Sequence, residues 1–257
     1  MRAPAKGGEV VVDESRLEYE GGHEVKDAII SFRNVTKRFP GADALTDVTV
    51  DVPKGQVIGL LGPNGSGKST FLKLIAGLHR PTQGQVLVGG RVPDRETKSY
   101  VAYMPEVDHI YPWMTVGRAM QFIGSFYKDW DAERAERLID FFELPRRNRV
   151  GKLSKGMRAK LRLTAVLARA SSIILLDEPL SGIDPPSRIR IVDALLSEFD
   201  SGEQTIILST HEVMETESLF DRLIFLVNGQ IRLEGDVEEL RRRYGTSVQG
   251  LFKEVLA

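Results

Sequence analysis

Three groups of residues in this sequence have the types and spacing to work on a phosphoanhydride. The run Gly62-Pro63-Asn64-Gly65-Ser66-Gly67-Lys68-Ser69-Thr70 fits the pattern G-x-x-x-x-G-K-[ST]. In such a loop the glycines let consecutive backbone N–H groups converge on a phosphate. The lysine reaches the outer phosphates and the first hydroxyl ligates Mg²⁺. Far downstream, Asp177-Glu178 closes the apolar run Ile173-Ile174-Leu175-Leu176. Adjacent carboxylates at a strand end can divide two tasks: Asp177 holds Mg²⁺, directly or through water, and Glu178 orients and deprotonates the attacking water. His211 follows the next apolar run, Thr205-Ile206-Ile207-Leu208, where an imidazole could hydrogen-bond a γ-phosphate. Spacing alone leaves His211 evenly divided between a catalytic and a structural role.

The elements that must position these residues are those of an α/β fold. Val57-Ile58-Gly59-Leu60-Leu61 is a continuous apolar run, the mark of a strand buried on both faces. Phe71, Leu72, Leu74, Ile75 and Leu78 recur at helical spacing, so the glycine loop joins a strand to a helix and places the phosphate at a helix N-terminus. Before it, 29–32 and the alternating 48–52 read as strands with one buried face. After it come strands at 85–88, ending at Gly89-Gly90, and at 100–104, stopped by Pro105.

From about Thr115 the strand signal disappears. Thr115, Asp131 and Ser154 stand where they can cap three helices, with Pro145 ending the second, so a small helical subdomain at about 107–160 is expected as an insertion. The core resumes with strands at 173–176 and 205–208 and a helix opened by Asp184-Pro185-Pro186. Asn228-Gly229 marks a hairpin between two apolar runs, and two short helices near 236–243 and 247–256 follow. The expected architecture is a phosphate-loop core, a mixed sheet flanked by helices, with an N-terminal antiparallel β-subdomain. Residues 1–27 are polar and acidic without a period and read as a disordered extension or loosely attached strand, so the domain is expected at 28–257.

Composition excludes several classes. The 257 residues carry a formal net charge of −1, which argues against nucleic-acid binding by bulk electrostatics. There is no cysteine, hence neither a disulfide framework nor a thiolate metal site, as suits a cytoplasmic location. No run approaches the roughly 18 apolar residues that a membrane span needs.

The motif set resembles the nucleotide-binding subunit of an ABC transporter, over roughly residues 29–256. Leu153-Ser154-Lys155-Gly156-Met157 stands where that family carries its LSGGQ signature, shortly before Asp177-Glu178. General phosphate-loop ATPases lack such a segment. The resemblance implies ATP and Mg²⁺ as ligands and a head-to-tail dimer with two ATP molecules between subunits. Ser154 and Gly156 of one subunit would contact the γ-phosphate held by Lys68 of the other. Phe39 occupies the place of an aromatic that stacks on adenine, and Leu180-Ser181-Gly182-Ile183-Asp184 that of the loop coupling the two sites. His211 matches a switch histidine. Implied partners are a separate transmembrane permease and a second ATP-binding subunit. The implied location is cytoplasmic, on the inner face of the membrane.

Three segments depart from the family pattern. Lys155 and Met157 replace a glycine and a glutamine, Gly182-Ile183 replaces the usual small-residue–leucine pair, and Glu106 stands for the glutamine that touches Mg²⁺. A carboxylate at Glu106 can still ligate Mg²⁺ but adds negative charge there. The Tyr103-Met104-Pro105-Glu106 segment and the Leu153-Ser154-Lys155-Gly156-Met157 signature, with the short helical insertion and the Ser247-Val248 and Leu251-Phe252 tail, resemble the drug- or polyketide-export branch. The rival reading is a soluble ABC-type ATPase of DNA repair or ribosomes. Such proteins usually carry two modules or a long coiled coil, and this chain has one module and no sustained heptads. Ile110-Tyr111-Pro112-Trp113 is either subdomain core or an apolar surface for a membrane partner's helix.

Overall fold

The computed structural model describes residues 27–199, 202–213 and 216–256. The expectation for 1–27 therefore lies outside the described residues, apart from Asp27. Two sheets form the frame. The smaller is antiparallel and contains β1 (Ala28–Phe39), β2 (Ala42–Pro53) and β4 (Gln83–Val88) in the order β2-β1-β4. The larger contains β3 (Val57–Leu61), β5 (Val101–Met104), β6 (Ile173–Asp177), β7 (Thr205–Thr210), β8 (Arg222–Val227) and β9 (Gln230–Asp236), in the order β5-β6-β7-β3-β8-β9. Its first five strands run parallel, and β9 returns antiparallel through the Asn228-Gly229 turn. Both turn residues have positive φ, +49° and +75°, as a two-residue hairpin requires.

Every residue of β3, β6 and β7 is buried, and their alternate side chains feed two cores. On one face Ile58, Leu60, Leu175 and Ile207 pack with α1 (Lys68–Ile75) and the small sheet, where the Phe32 and Phe71 rings stack at 4.1 Å. On the other, Leu61, Leu176 and Leu208 pack with α2 (Val116–Gly124), α3 (Ala132–Phe141), α4 (Lys155–Leu167), α5 (Pro185–Glu198), α6 (Val237–Tyr244) and α7 (Val248–Leu256).

The expected caps are present. Thr115, Asp131, Ser154 and Asp184 each accept a backbone N–H of the helix that they precede. Two details differ from expectation. Strand β1 extends to Phe39, well beyond 32, because bulges interrupt its alternation, one with Asn34 at φ +48°. Helix α3 stops at Phe141, before Pro145, with Glu143 left-handed at φ +54° and the Leu144 N–H closing back on the Ile139 carbonyl.

Candidate functional site

Strand β3 delivers the glycine loop at its C-terminal end, and α1 begins at Lys68. Gly67 has φ +106°, and a Cβ there would lie 2.4 Å from the Ala44 carbonyl oxygen, so no other residue fits. Helix α1 has no side-chain cap and no acid in its first turn. Its N-terminal N–H groups are left for an anion. The buried Ser66 hydroxyl in the same loop has no hydrogen-bond partner.

Parallel pairing of β6 with β7 sets Asp177 opposite Ser209. Asp177 is 1% exposed and receives three hydroxyls. Ser69 donates to Oδ1 at 3.0 Å, Ser209 donates to Oδ1 at 2.9 Å, and Tyr103 donates to Oδ2 at 3.0 Å. Burial first, then the Asp177 charge, hold the Tyr103 phenol above its usual range, so it stays a donor. Glu178 is 8% exposed with φ +47°, an uncommon conformation for a residue with a side chain. Its N–H donates to Ser209 Oγ at 2.9 Å. Its carboxylate bridges two groups: Oε1 lies 3.1 Å from Lys68 Nζ, and Oε2 lies 3.0 Å from His211 Nδ1. The Lys68 ammonium also donates to the Gly62 and Pro63 carbonyls at 2.8 and 3.1 Å.

Gly67, Lys68, Ser69, Glu178 and His211 line one pocket of about 440 Å³, together with Asn64, Gly65, Thr70, Glu106 and Ser181. The lining fits a phosphate chain: N–H groups, an ammonium and an imidazole on one side, hydroxyl and carboxylate oxygens on the other. Ser69 and Asp177 are hard oxygen donors that touch each other, the donor set that Mg²⁺ takes when phosphate oxygens and water complete its shell. Among the described residues no cluster of three or more His, Cys, Asp or Glu is placed to hold a metal.

Of the remaining expected residues, all but Glu106 lie outside this pocket. Glu106 lines the pocket, and its carbonyl and that of Pro105 accept from the Arg162 guanidinium of α4, the latter at 2.8 Å. Asp108 pairs with Arg158 at 2.7 Å and Arg162 at 3.4 Å, and Arg158 also donates to the Leu153 carbonyl. Ser154 caps α4 through the Met157 N–H and does not line this pocket, nor does Gly156. A Cβ on Gly156 would come within 3.0 Å of Asp184 Oδ1, so α4 and α5 begin side by side. Two departures from the family pattern explain each other. The Lys155 ammonium lies over Gly182, where a Cβ would sit 2.1 Å from Nζ, and Gly182 has φ +62°. Asp184 caps α5, and the Ser187 hydroxyl and N–H hold its carboxyl below the usual range. Phe39 ends β1 half-exposed, with the Lys37 ammonium 4.8 Å from its ring centroid and His79 at its edge.

Ser209 and Tyr103 are the functional neighbours that the motif reading missed. A signal existed for Ser209: aligning the two buried runs in parallel puts the polar residue after Leu208 beside Asp177. Tyr103 gave none, because a tyrosine in a short strand reads as packing.

The family model of the ABC transporter matches residues 45–181. An ABC transporter ATP-binding protein of Synechocystis is 31% identical over 206 residues, covering 77% of this chain and 58% of its own length. The Nod factor export ATP-binding protein I of Burkholderia lata is 36% identical over 217 residues, covering 81% of this chain and 71% of its own. The chain thus spans little more than half of the first relative and about seven-tenths of the second. Among solved structures, an ATP-binding subunit of an ABC transporter superposes with a TM-score of 0.79 at 26% identity, over 89% of this chain and all of that one. An ATP-binding cassette of an ABC transporter in its ADP conformation gives 0.70 at 26% identity, over 83% and 93%. With the phosphate loop, the strand-end carboxylates and the capped signature segment in place, the chain belongs to the ABC transporter family and is an ATPase domain of it.

Proposed function

We propose that this chain binds ATP with Mg²⁺, hydrolyses it, and powers a separate membrane permease that exports its substrate. The observation that carries the reading is the bridged Glu178 carboxylate, held between Lys68 and His211 in the lining of the pocket that the glycine loop opens into. Lys68 would bind the outer phosphates, and Ser69 and Asp177 would hold Mg²⁺, which supplies charge neutralisation when bound. Glu178 would take the proton of the attacking water at a carboxylate oxygen, and His211 would steady that carboxylate or the γ-phosphate.

Ser154 and Gly156 lie outside the pocket that Lys68 lines, which favours their use on the nucleotide of a second ATP-binding subunit. Phe39 is our choice for the adenine platform. The permease surface is the aromatic patch of the helical region. Tyr111, Trp113, Phe122 and Phe126 are 39–67% exposed and touch in sequence at centroid distances of 5.0–5.8 Å. A patch of that kind calls for an apolar partner. Among the described residues no helix is long and apolar enough to cross a membrane. Our reading places the permease on a separate protein and this ATPase against the cytoplasmic face of the membrane. The export direction is favoured by the Nod factor export relative. The test is affinity purification of the tagged chain from solubilised membranes. Recovery of a polytopic protein, lost on Trp113→Asp, supports the proposal; recovery of ribosomes or DNA instead overturns it.

A further inference from the structure

Two residues outside the phosphate loop and the Asp177-Glu178 pair reach that pair from neighbouring strands. Ser209 is fully buried on β7. A hydroxyl offers one donor and two acceptor sites, and this one uses both kinds. It donates to Asp177 Oδ1 and accepts the Glu178 N–H, each at 2.9 Å. That second bond matters because Glu178 holds φ at +47°, a conformation that persists only where the surroundings impose it. Tyr103, on β5, reaches only Asp177, at Oδ2. Neither hydroxyl is needed to fill space, since Ala and Phe would pack the same positions with less polar burial.

We propose that Ser209 and Tyr103 are positioning residues with separate tasks. Ser209 sets the backbone from which the Glu178 carboxylate is aimed at water, and Tyr103 sets the rotation of the Asp177 carboxylate toward Mg²⁺. This rests on the roles proposed above for Asp177 and Glu178.

The experiment compares the full chain with Ser209→Ala, Ser209→Thr, Ser209→Cys, Tyr103→Phe and Glu178→Gln. Phosphate release is measured against ATP at saturating Mg²⁺, and binding of a fluorescent ATP analogue is titrated with Mg²⁺. Losing one hydrogen bond to a charged or strained group corresponds to about 10–100-fold. Ser209→Ala and Ser209→Cys should lower kcat by that factor with KM for ATP changed less than about threefold, and Ser209→Thr should restore most of it. Tyr103→Phe should raise the half-saturating Mg²⁺ concentration by about tenfold, with kcat at saturating Mg²⁺ near that of the unchanged chain. Should Ser209→Ala fail to fold, Ser209→Cys, which keeps the shape and weakens the hydrogen bonds, carries the same expectation. Wild-type kcat in Ser209→Cys, or an unshifted Mg²⁺ titration in Tyr103→Phe, overturns the proposal. If Glu178→Gln is inactive while Ser209→Ala and Ser209→Cys are fully active, only the proposal for Ser209 fails. If Glu178→Gln itself is fully active, the role of Glu178 fails first and takes this inference with it.

Discussion

Replacing Glu178 with Gln should change binding and turnover in opposite directions. Lys68 and Glu178 are 5% and 7% exposed at the side chain and 3.1 Å apart, so their charges attract through a medium much less screening than water. At an effective dielectric near 20 the gross attraction is about 5 kcal/mol. Desolvation of both groups takes back most of this, leaving a net value of about 1.4–2.8 kcal/mol. An incoming phosphate must take Lys68 away from Glu178, so this pairing opposes nucleotide binding. A glutamine keeps the shape and removes the charge. ATP affinity should therefore rise by roughly 10–100-fold, while phosphate release at saturating ATP should fall by about 10²–10⁴-fold with loss of the general base. Equilibrium binding of a fluorescent ATP analogue and a phosphate-release assay read the two effects separately. Unchanged or weaker binding would refute the competition between Glu178 and phosphate for Lys68, and wild-type turnover would refute the base.

Other variants test neighbouring parts of the site. His211→Ala removes the partner of Glu178 Oε2 and should lower kcat by about 10–100-fold with little change in ATP affinity, read by the same two assays. Glu106→Gln should keep at least part of the ATPase activity, because Arg162 fixes this residue through its carbonyl; complete loss in phosphate release would show a specific task for the carboxylate. Gly67→Ala drives a Cβ against the Ala44 carbonyl and should lower the melting temperature as well as abolish nucleotide binding. The Asp184 carboxyl is held below its unfolded value near 3.8, so the stability that it contributes is complete above about pH 4 and fades as pH falls through the lower folded value. Asp184→Asn, which keeps a capping oxygen, should flatten that acid-side slope in melts taken between pH 2 and pH 5.

The elements that sequence revealed most clearly are those with a single dominant cause. Strands β3, β6 and β7 are buried on both faces, so their apolar runs needed no context. Thr115, Asp131 and Ser154 cap their helices through bonds to the next few N–H groups, and local chemistry predicted each of them. What stayed hidden depends on distant partners. The far half of β1 is broken by bulges whose shape is set by Gly84 of the neighbouring strand, where a Cβ would meet the Asn34 carbonyl at 2.2 Å. The end of α3 is a left-handed glutamate, a place where sequence leads one to look for glycine. In the site, the phosphate loop and Asp177-Glu178 were legible as strand-end chemistry, and His211 could be placed but not joined to Glu178. Ser209 and Tyr103 act across strands, and only the register of the sheet brings them to Asp177.

The grip of α4 on the segment after β5 has a mechanical consequence. Arg162 holds the carbonyls of Pro105 and Glu106, while Arg158, one turn earlier, holds Asp108 and the Leu153 carbonyl. Pulling Glu106 toward the pocket without moving α4 would break at least two charge-assisted hydrogen bonds, at about 1.5–3 kcal/mol each. Turning the whole helix as a lever breaks none of them. Any displacement of Glu106 is thus delivered, through one rigid rod, to Ser154 at the helix tip.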